Sequence, residues 1–159
     1  MSTKHLKMSF DPQTIEHLGV KMYSNIPNAI AELIANAYDA DAKNVYVKLY
    51  NGIDKRIEVI DDGAGMSFDE INENFLRIGR NRRKAGAKTS PSGARKATGK
   101  KGLGKLALFG IGDVIEIRTT KKHSTERVIF TLNWEELRAT NGNDYEPTQP
   151  HSLMAMVYT

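Results

Sequence analysis

The sequence predicts an α/β domain built as a two-layer sandwich, a mixed sheet carrying its helices on one face. Three observations lead there. Apolar residues recur at helical spacing over 26–40, strand-like alternation follows at once over 45–61, and a second pair of strands recurs at 113–133. With 159 residues, 40% hydrophobic and 26% charged, the chain has ordinary globular usage and the length of one domain.

The elements follow in chain order. Residues 11–23 read as a helix, with Ile15, Leu18 and Met22 at helical spacing. Ser24 or Asn25 is placed to cap a second helix that has Pro27 in its first turn and runs to about Ala40. Val45, Val47 and Leu49 then alternate with Tyr46, Lys48 and Tyr50 as in a strand. Asn51-Gly52 marks a turn, and Ile57 to Asp61 completes a hairpin. Ser67-Phe-Asp-Glu70 is a capping-box pattern, behind which Phe68, Ile71, Phe75 and Ile78 share one helical face. Residues 79–101 are rich in Gly, Ser, Thr, Lys and Arg without periodicity, and read as a mobile loop. A short helix is expected at about Leu103 to Phe109, strands at 113–119 and 127–133, a short helix from Trp134, turns over 139–152 and a last strand over 153–159.

Composition excludes several function classes. The longest apolar run, Leu106 to Gly112, is far too short for a membrane span, and the N-terminus has no signal-peptide core. With no cysteine there is no disulfide, thiolate metal site or thiol nucleophile, which fits a reducing compartment, and the cytoplasm is the expected location. The four histidines lack metal-ligand spacing. The net charge of +4 conceals an asymmetry: 11 of the 23 basic residues fall between 76 and 105, where there is no acid. The other 12 are outnumbered by 19 acidic residues, so an acidic domain carries one basic segment suited to a polyanion.

Three motifs carry candidate chemistry, and each also has a plainer reading. In Glu32-Leu-Ile-Ala-Asn36-Ala-Tyr-Asp39-Ala40, a helix at about 100° per residue puts Glu32, Asn36 and Asp39 within about 60° of each other, opposite Ile30, Leu33, Ile34 and Ala37. Such a row can share one water and one cation; it can also be a solvated helix face. In Asp61-Asp-Gly63-Ala-Gly65-Met66, a carboxylate ends an apolar strand and glycines let the backbone pass close to a ligand, or simply make a tight turn. In Gly99-Lys-Lys-Gly102-Leu103-Gly104-Lys105, backbone N–H groups entering a helix could close on phosphate oxygens; the alternative is a flexible basic linker. This third motif is no P-loop, because Leu106 stands where Ser or Thr should hold magnesium, and no dinucleotide fingerprint, because a basic loop rather than a strand precedes it.

In this order and spacing the three motifs resemble the signature of the GHKL ATPases: gyrase B-type topoisomerases, heat-shock chaperone ATPases, histidine kinases, MutL mismatch-repair proteins and MORC proteins. The resemblance covers about residues 26–119, and Phe75-Leu-Arg-Ile-Gly79 together with 99–110 looks most like MORC-like and related prokaryotic members. It implies the Bergerat fold, with ATP between the helices and a lid at 79–101 hinged at Gly79 and Gly99. It further implies that Glu32 is the general base and Asn36 the magnesium ligand, with Asp39 and Ala40 lining the site. By the same resemblance Asp61 accepts from the adenine amino group, Gly65 and Met66 border the base, and Gly102, Leu103, Gly104 and Lys105 form the phosphate turn.

ATP and Mg2+ are the implied ligands, with ADP as product and nucleotide-dependent self-association in a longer protein. DNA is a candidate partner of the basic lid. Histidine kinases usually have Asn at the position of Glu32, so the carboxylate favours hydrolysis over phosphotransfer; a nucleotide-gated binding module with negligible turnover is the other alternative. Many family members add a Gly-Thr strand and a second domain after the final segment. Residues 1–159 are therefore expected to be the N-terminal domain of a longer chain.

Overall fold

A computed structural model describes residues 6–8, 26–77, 89–98, 108, 112–140 and 144–149. The expected helix at 11–23, the Ser24/Asn25 cap, most of the lid, the helix at 103–109 apart from the buried Leu108, and the strand at 153–159 lie outside these residues.

Within them the domain is α/β. Helix α1 (Ile26–Asp39) leads into β1 (Val45–Tyr50), which pairs antiparallel with β2 (Arg56–Asp61) in a register that sets Val45 opposite Asp61 and Tyr50 opposite Arg56. A short α2 (Phe68–Glu70) continues as a π-helical segment, Ile71–Phe75. Strands β3 (Val114–Thr120) and β4 (Arg127–Asn133) form a second antiparallel pair, and α3 (Trp134–Ala139) follows directly. Among the described residues the strands therefore make two two-stranded antiparallel sheets.

Local chemistry accounts for the element boundaries. Ser67 and Glu70 make both bonds of the capping box, the Ser67 hydroxyl accepting from the Glu70 amide and the Glu70 carboxylate from the Ser67 amide. Asn133 caps α3 by accepting from the amides of Glu135 and Glu136.

The core lies under the second sheet. Alternation on β4 turns Val128, Phe130 and Leu132 inward, where they meet Leu6, Met8, Ile71, Leu76, Leu137 and Tyr145. Phe75 packs edge-on to Phe130 with ring centroids 6.0 Å apart. Met8 and Tyr145 exchange backbone hydrogen bonds of 2.7 and 3.1 Å, tying residues 6–8 to the far end of the chain. The Tyr145 hydroxyl accepts from the Asn133 amide and donates to Glu136, so this buried ring keeps its polar tip paired.

Two expectations from helical periodicity change. The 3.6-residue period does not select Leu76, yet Leu76 is fully buried. The π turn is the reason: the Leu76 amide bonds the Ile71 carbonyl five residues back at 2.8 Å, which stacks Leu76 over Ile71. On α1, Ala29 and Ala37 are buried while Ile34, placed at the edge of the expected apolar face, is 43% exposed.

Candidate functional site

The site is built where the end of α1 meets the loop after β2. The Ala64 amide donates to the Ala40 carbonyl at 2.8 Å, bringing the first and second motifs together. Gly63 permits that approach, since a Cβ there would stand 2.7 Å from Asp61 Oδ1 and 3.0 Å from both Ala40 Cβ and the Ala40 carbonyl oxygen. Gly65 is held at φ +60°, and a Cβ on it would collide with the Thr120 carbonyl at 1.9 Å.

The loop is also fastened from its other side. The Met66 amide donates to Thr119 Oγ1 at 3.0 Å, and the Lys122 amide to the Ala64 carbonyl at 2.8 Å. Lys121 Nζ lies 2.6 Å from Glu70 Oε1. Partial burial pushes the Glu70 carboxyl up, but the Lys121 ammonium and the Ser67 amide outweigh it and hold the group below the ordinary carboxylate value.

The two adjacent aspartates divide their work. Asp62 turns back to β1, accepting from the amides of Lys43 and Asn44 and from the Asn44 side chain at 2.6–2.9 Å. The Asn44 amide and side chain hold its carboxyl below the usual range. Asp61 is exposed; its Oδ1 accepts from the Gly63 amide at 2.9 Å, and its other oxygen has no partner among the described residues. A carboxylate with one oxygen pinned and the other open can accept from an amine, as adenine binding requires.

On α1 the expected row is present. Glu32 is exposed, while Asn36, Asp39 and Ala40 are half-buried, Ala40 at the junction with the β2 loop. Neither the Glu32 nor the Asn36 side chain makes a hydrogen bond among the described residues, so an acid and an amide one turn apart are available to a water and a hard cation. Asp39 differs: its Oδ1 accepts from both the amide and the hydroxyl of Thr98, at 2.8 and 2.9 Å. Gly79, Gly102, Leu103, Gly104 and Lys105 lie outside the described residues. Among the described residues no group of three or more metal-ligating acids, histidines or cysteines occurs, and no helix is long and apolar enough to cross a membrane.

The described part of the basic loop departs from the aperiodic reading. Residues 89–98 form a small hairpin, with Thr89 bridged to Lys96 and the Gly93 amide bonded to the Ser90 carbonyl at 2.9 Å. Ser90-Pro91-Ser92-Gly93 carries the turn signal, Pro second and Gly fourth, that could have revealed it. Sequence reasoning also passed over Thr119 and Lys122, which no local pattern links to a loop more than fifty residues earlier.

Comparison with known proteins agrees with the motifs. A family model described as "Histidine kinase-, DNA gyrase B-, and HSP90-like ATPase" matches residues 23–157. The chain is 39% identical over 121 residues, 76% of its length, to a Herpetosiphon aurantiacus protein named "Putative type II restriction enzyme HgiDII", of which this covers 19%. It is 29% identical over 122 residues, 77% of its length, to the DNA mismatch repair protein MutL of Thiobacillus denitrificans, covering 18% of that protein. Over 49 residues, 31% of the chain, it is 45% identical to MutL of Clostridium tetani, covering 8% of it. The chain thus spans less than a fifth of the length of each of these relatives.

Proposed function

Since the chain belongs to the histidine kinase-, DNA gyrase B- and HSP90-like (GHKL) ATPase family, we propose that residues 1–159 are the magnesium-dependent ATP-binding and ATP-hydrolysing domain of a longer protein. The observation that supports the reading is the Ala64–Ala40 hydrogen bond, which joins the loop after Asp61 to the residue that follows α1, the helix that carries Glu32, Asn36 and Asp39. The full fold is read as a two-layer sandwich with helices on one face, residues 79–101 being the ATP lid.

Each residue has a role in this reading. Asp61 accepts from the adenine amino group, with Gly65 and Met66 at the edge of the base. Asn36 would hold magnesium, Asp39 and Ala40 would line the site beside the nucleotide, and Gly102, Leu103, Gly104 and Lys105 would meet the phosphates. Magnesium supplies charge neutralisation on the phosphate oxygens when bound. Glu32, one turn before Asn36 and exposed, accepts a proton from the attacking water at its carboxylate. Lid closure over ATP then gates a conformational change or dimerisation of the longer protein.

The test of hydrolysis is Glu32→Ala in the longer protein that carries this domain. Single-turnover hydrolysis should fall about 10²–10⁴-fold while ATP still binds. A wild-type rate would remove Glu32 as the base and favour a nucleotide-gated binding module. DNA binding has a separate motive in the 11 basic residues between 76 and 105. Neutralising Arg82, Arg83 and Lys84 should then flatten the salt dependence of DNA affinity, and no affinity at low salt would exclude that role.

A further inference from the structure

The hairpin 89–98 is strapped to the end of α1 and the residues just after it, 38–42, by three anchors spaced three residues apart. Ser92 donates its amide and its hydroxyl to the Asp41 carboxylate at 2.7 and 2.8 Å. Arg95 spans the carbonyls of Tyr38 and Ala42 at 3.1 and 2.9 Å, and its guanidinium lies 4.6 Å from the centre of the Tyr38 ring. Thr98 donates both its amide and its hydroxyl to Asp39 Oδ1. The Tyr38 carbonyl, which also accepts from the Asp41 amide at 3.1 Å, lies in the last turn of α1 and the Ala42 carbonyl just past its end, where the helix carries partial negative charge that a cation neutralises. Arg95 is therefore engaged by α1, although it belongs to the basic segment.

This strap occupies a particular place in the chain. It grips the turn of α1 that ends the Glu32–Asn36–Asp39 face, and Thr98 directly precedes Gly99, where the glycine- and lysine-rich segment 99–105 begins. Asp61, by contrast, is held by β2 and the Gly63 amide, and no described hydrogen bond joins it to the strap. Resting on the ATP reading above, we propose that Arg95 and Thr98 are positioning residues that fix the origin of the phosphate-binding segment against α1. They govern affinity for the phosphate chain and leave recognition of the base to Asp61. Neither residue touches the nucleotide; both act through Asp39 and the end of α1.

The experiment compares Mg-ATP with adenosine, which shares the base and lacks the phosphates, on the full 159-residue chain. Affinities are read by calorimetry for ATP and by ligand-observed NMR for adenosine, for wild type, Arg95→Ala, Thr98→Val and Thr98→Ser. Thr98→Val keeps the backbone donor and the branched shape but removes the hydroxyl; Thr98→Ser keeps both donors. Arg95→Ala and Thr98→Val should each weaken ATP about tenfold, the scale of one hydrogen bond to a charged group, with adenosine unchanged and Thr98→Ser restored. Wild-type ATP affinity in Thr98→Val, or ATP and adenosine weakening together, would overturn the proposal even where Arg95→Ala fails to fold. A wild-type chain that binds neither ligand would remove the ATP reading and the strap's role with it. Wild-type binding of both, unaltered in the variants, would remove the strap's role alone.

Discussion

The amide of Ala64 donates to the carbonyl of Ala40 at 2.8 Å, and through that bond the loop after β2 is seated on the end of α1. Its geometry depends on two glycines with little room around them and on the turn between β3 and β4 behind them.

The first prediction concerns Gly65. At φ +60° with the Thr120 carbonyl 1.9 Å from a built Cβ, Gly65→Ala combines backbone strain with overpacking against main chain that cannot rotate away. The expected loss is on the order of 3 kcal/mol in urea unfolding. Gly52→Ala, which meets nothing within 4 Å, should stay within about 0.5 kcal/mol of wild type and serves as the control.

Leu76 tests the π turn. The Leu76 side chain is fully buried because the five-residue hydrogen bond to Ile71 rephases the helix. Leu76→Ala should cost about 2–5 kcal/mol in thermal or urea unfolding, the range for a buried leucine. A change near zero would mean that the regular helical face, not the π turn, governs packing here.

Acid sensitivity follows from Glu70. Its carboxyl is held below the ordinary value in the folded state by Lys121 and the Ser67 amide, against partial burial. A lowered folded-state value means that the contribution to stability is complete above the unfolded carboxylate range and is lost as pH falls through the folded value. Stability should therefore decline as pH falls below about 4.3, the ordinary glutamate value. Asp41 and Asp62, lowered by the Ser90 hydroxyl and by Asn44 respectively, act in the same direction. Glu70→Gln should flatten part of the acid limb in urea midpoints measured from pH 7 to pH 3; an unchanged limb would show that the Lys121 pairing does not contribute.

Much of this architecture was readable from local patterns. Val45, Val47 and Leu49 alternate as the strand that forms, Asn51-Gly52 breaks it, and Ser67 with Glu70 makes the capping box that its spacing implies. The α1 polar row was legible because helical geometry fixes which residues share a face. What stayed hidden depends on contacts between distant segments. Thr119 reaches Met66 across fifty-three residues, and Thr98 reaches Asp39 across fifty-nine, with no periodicity to betray either. Leu76 was missed for a different reason: a single π turn changes the period within one helix, and nothing in Ile-Asn-Glu-Asn-Phe marks it. The division of labour between Asp61 and Asp62 likewise needed the structure, because in sequence they are identical neighbours.

The most direct test of the ATP site is calorimetric titration of wild type and Asp61→Asn with ATP and ADP in the presence of magnesium. Both nucleotides carry the adenine that Asp61 is assigned to recognise. The substitution keeps the side chain's size and removes its charge, so affinity for both should fall by about ten- to a hundredfold, the equivalent of about 1.5–3 kcal/mol for a charge-assisted hydrogen bond. Wild-type affinity for both nucleotides in Asp61→Asn, or no binding by the wild-type chain, would contradict the account.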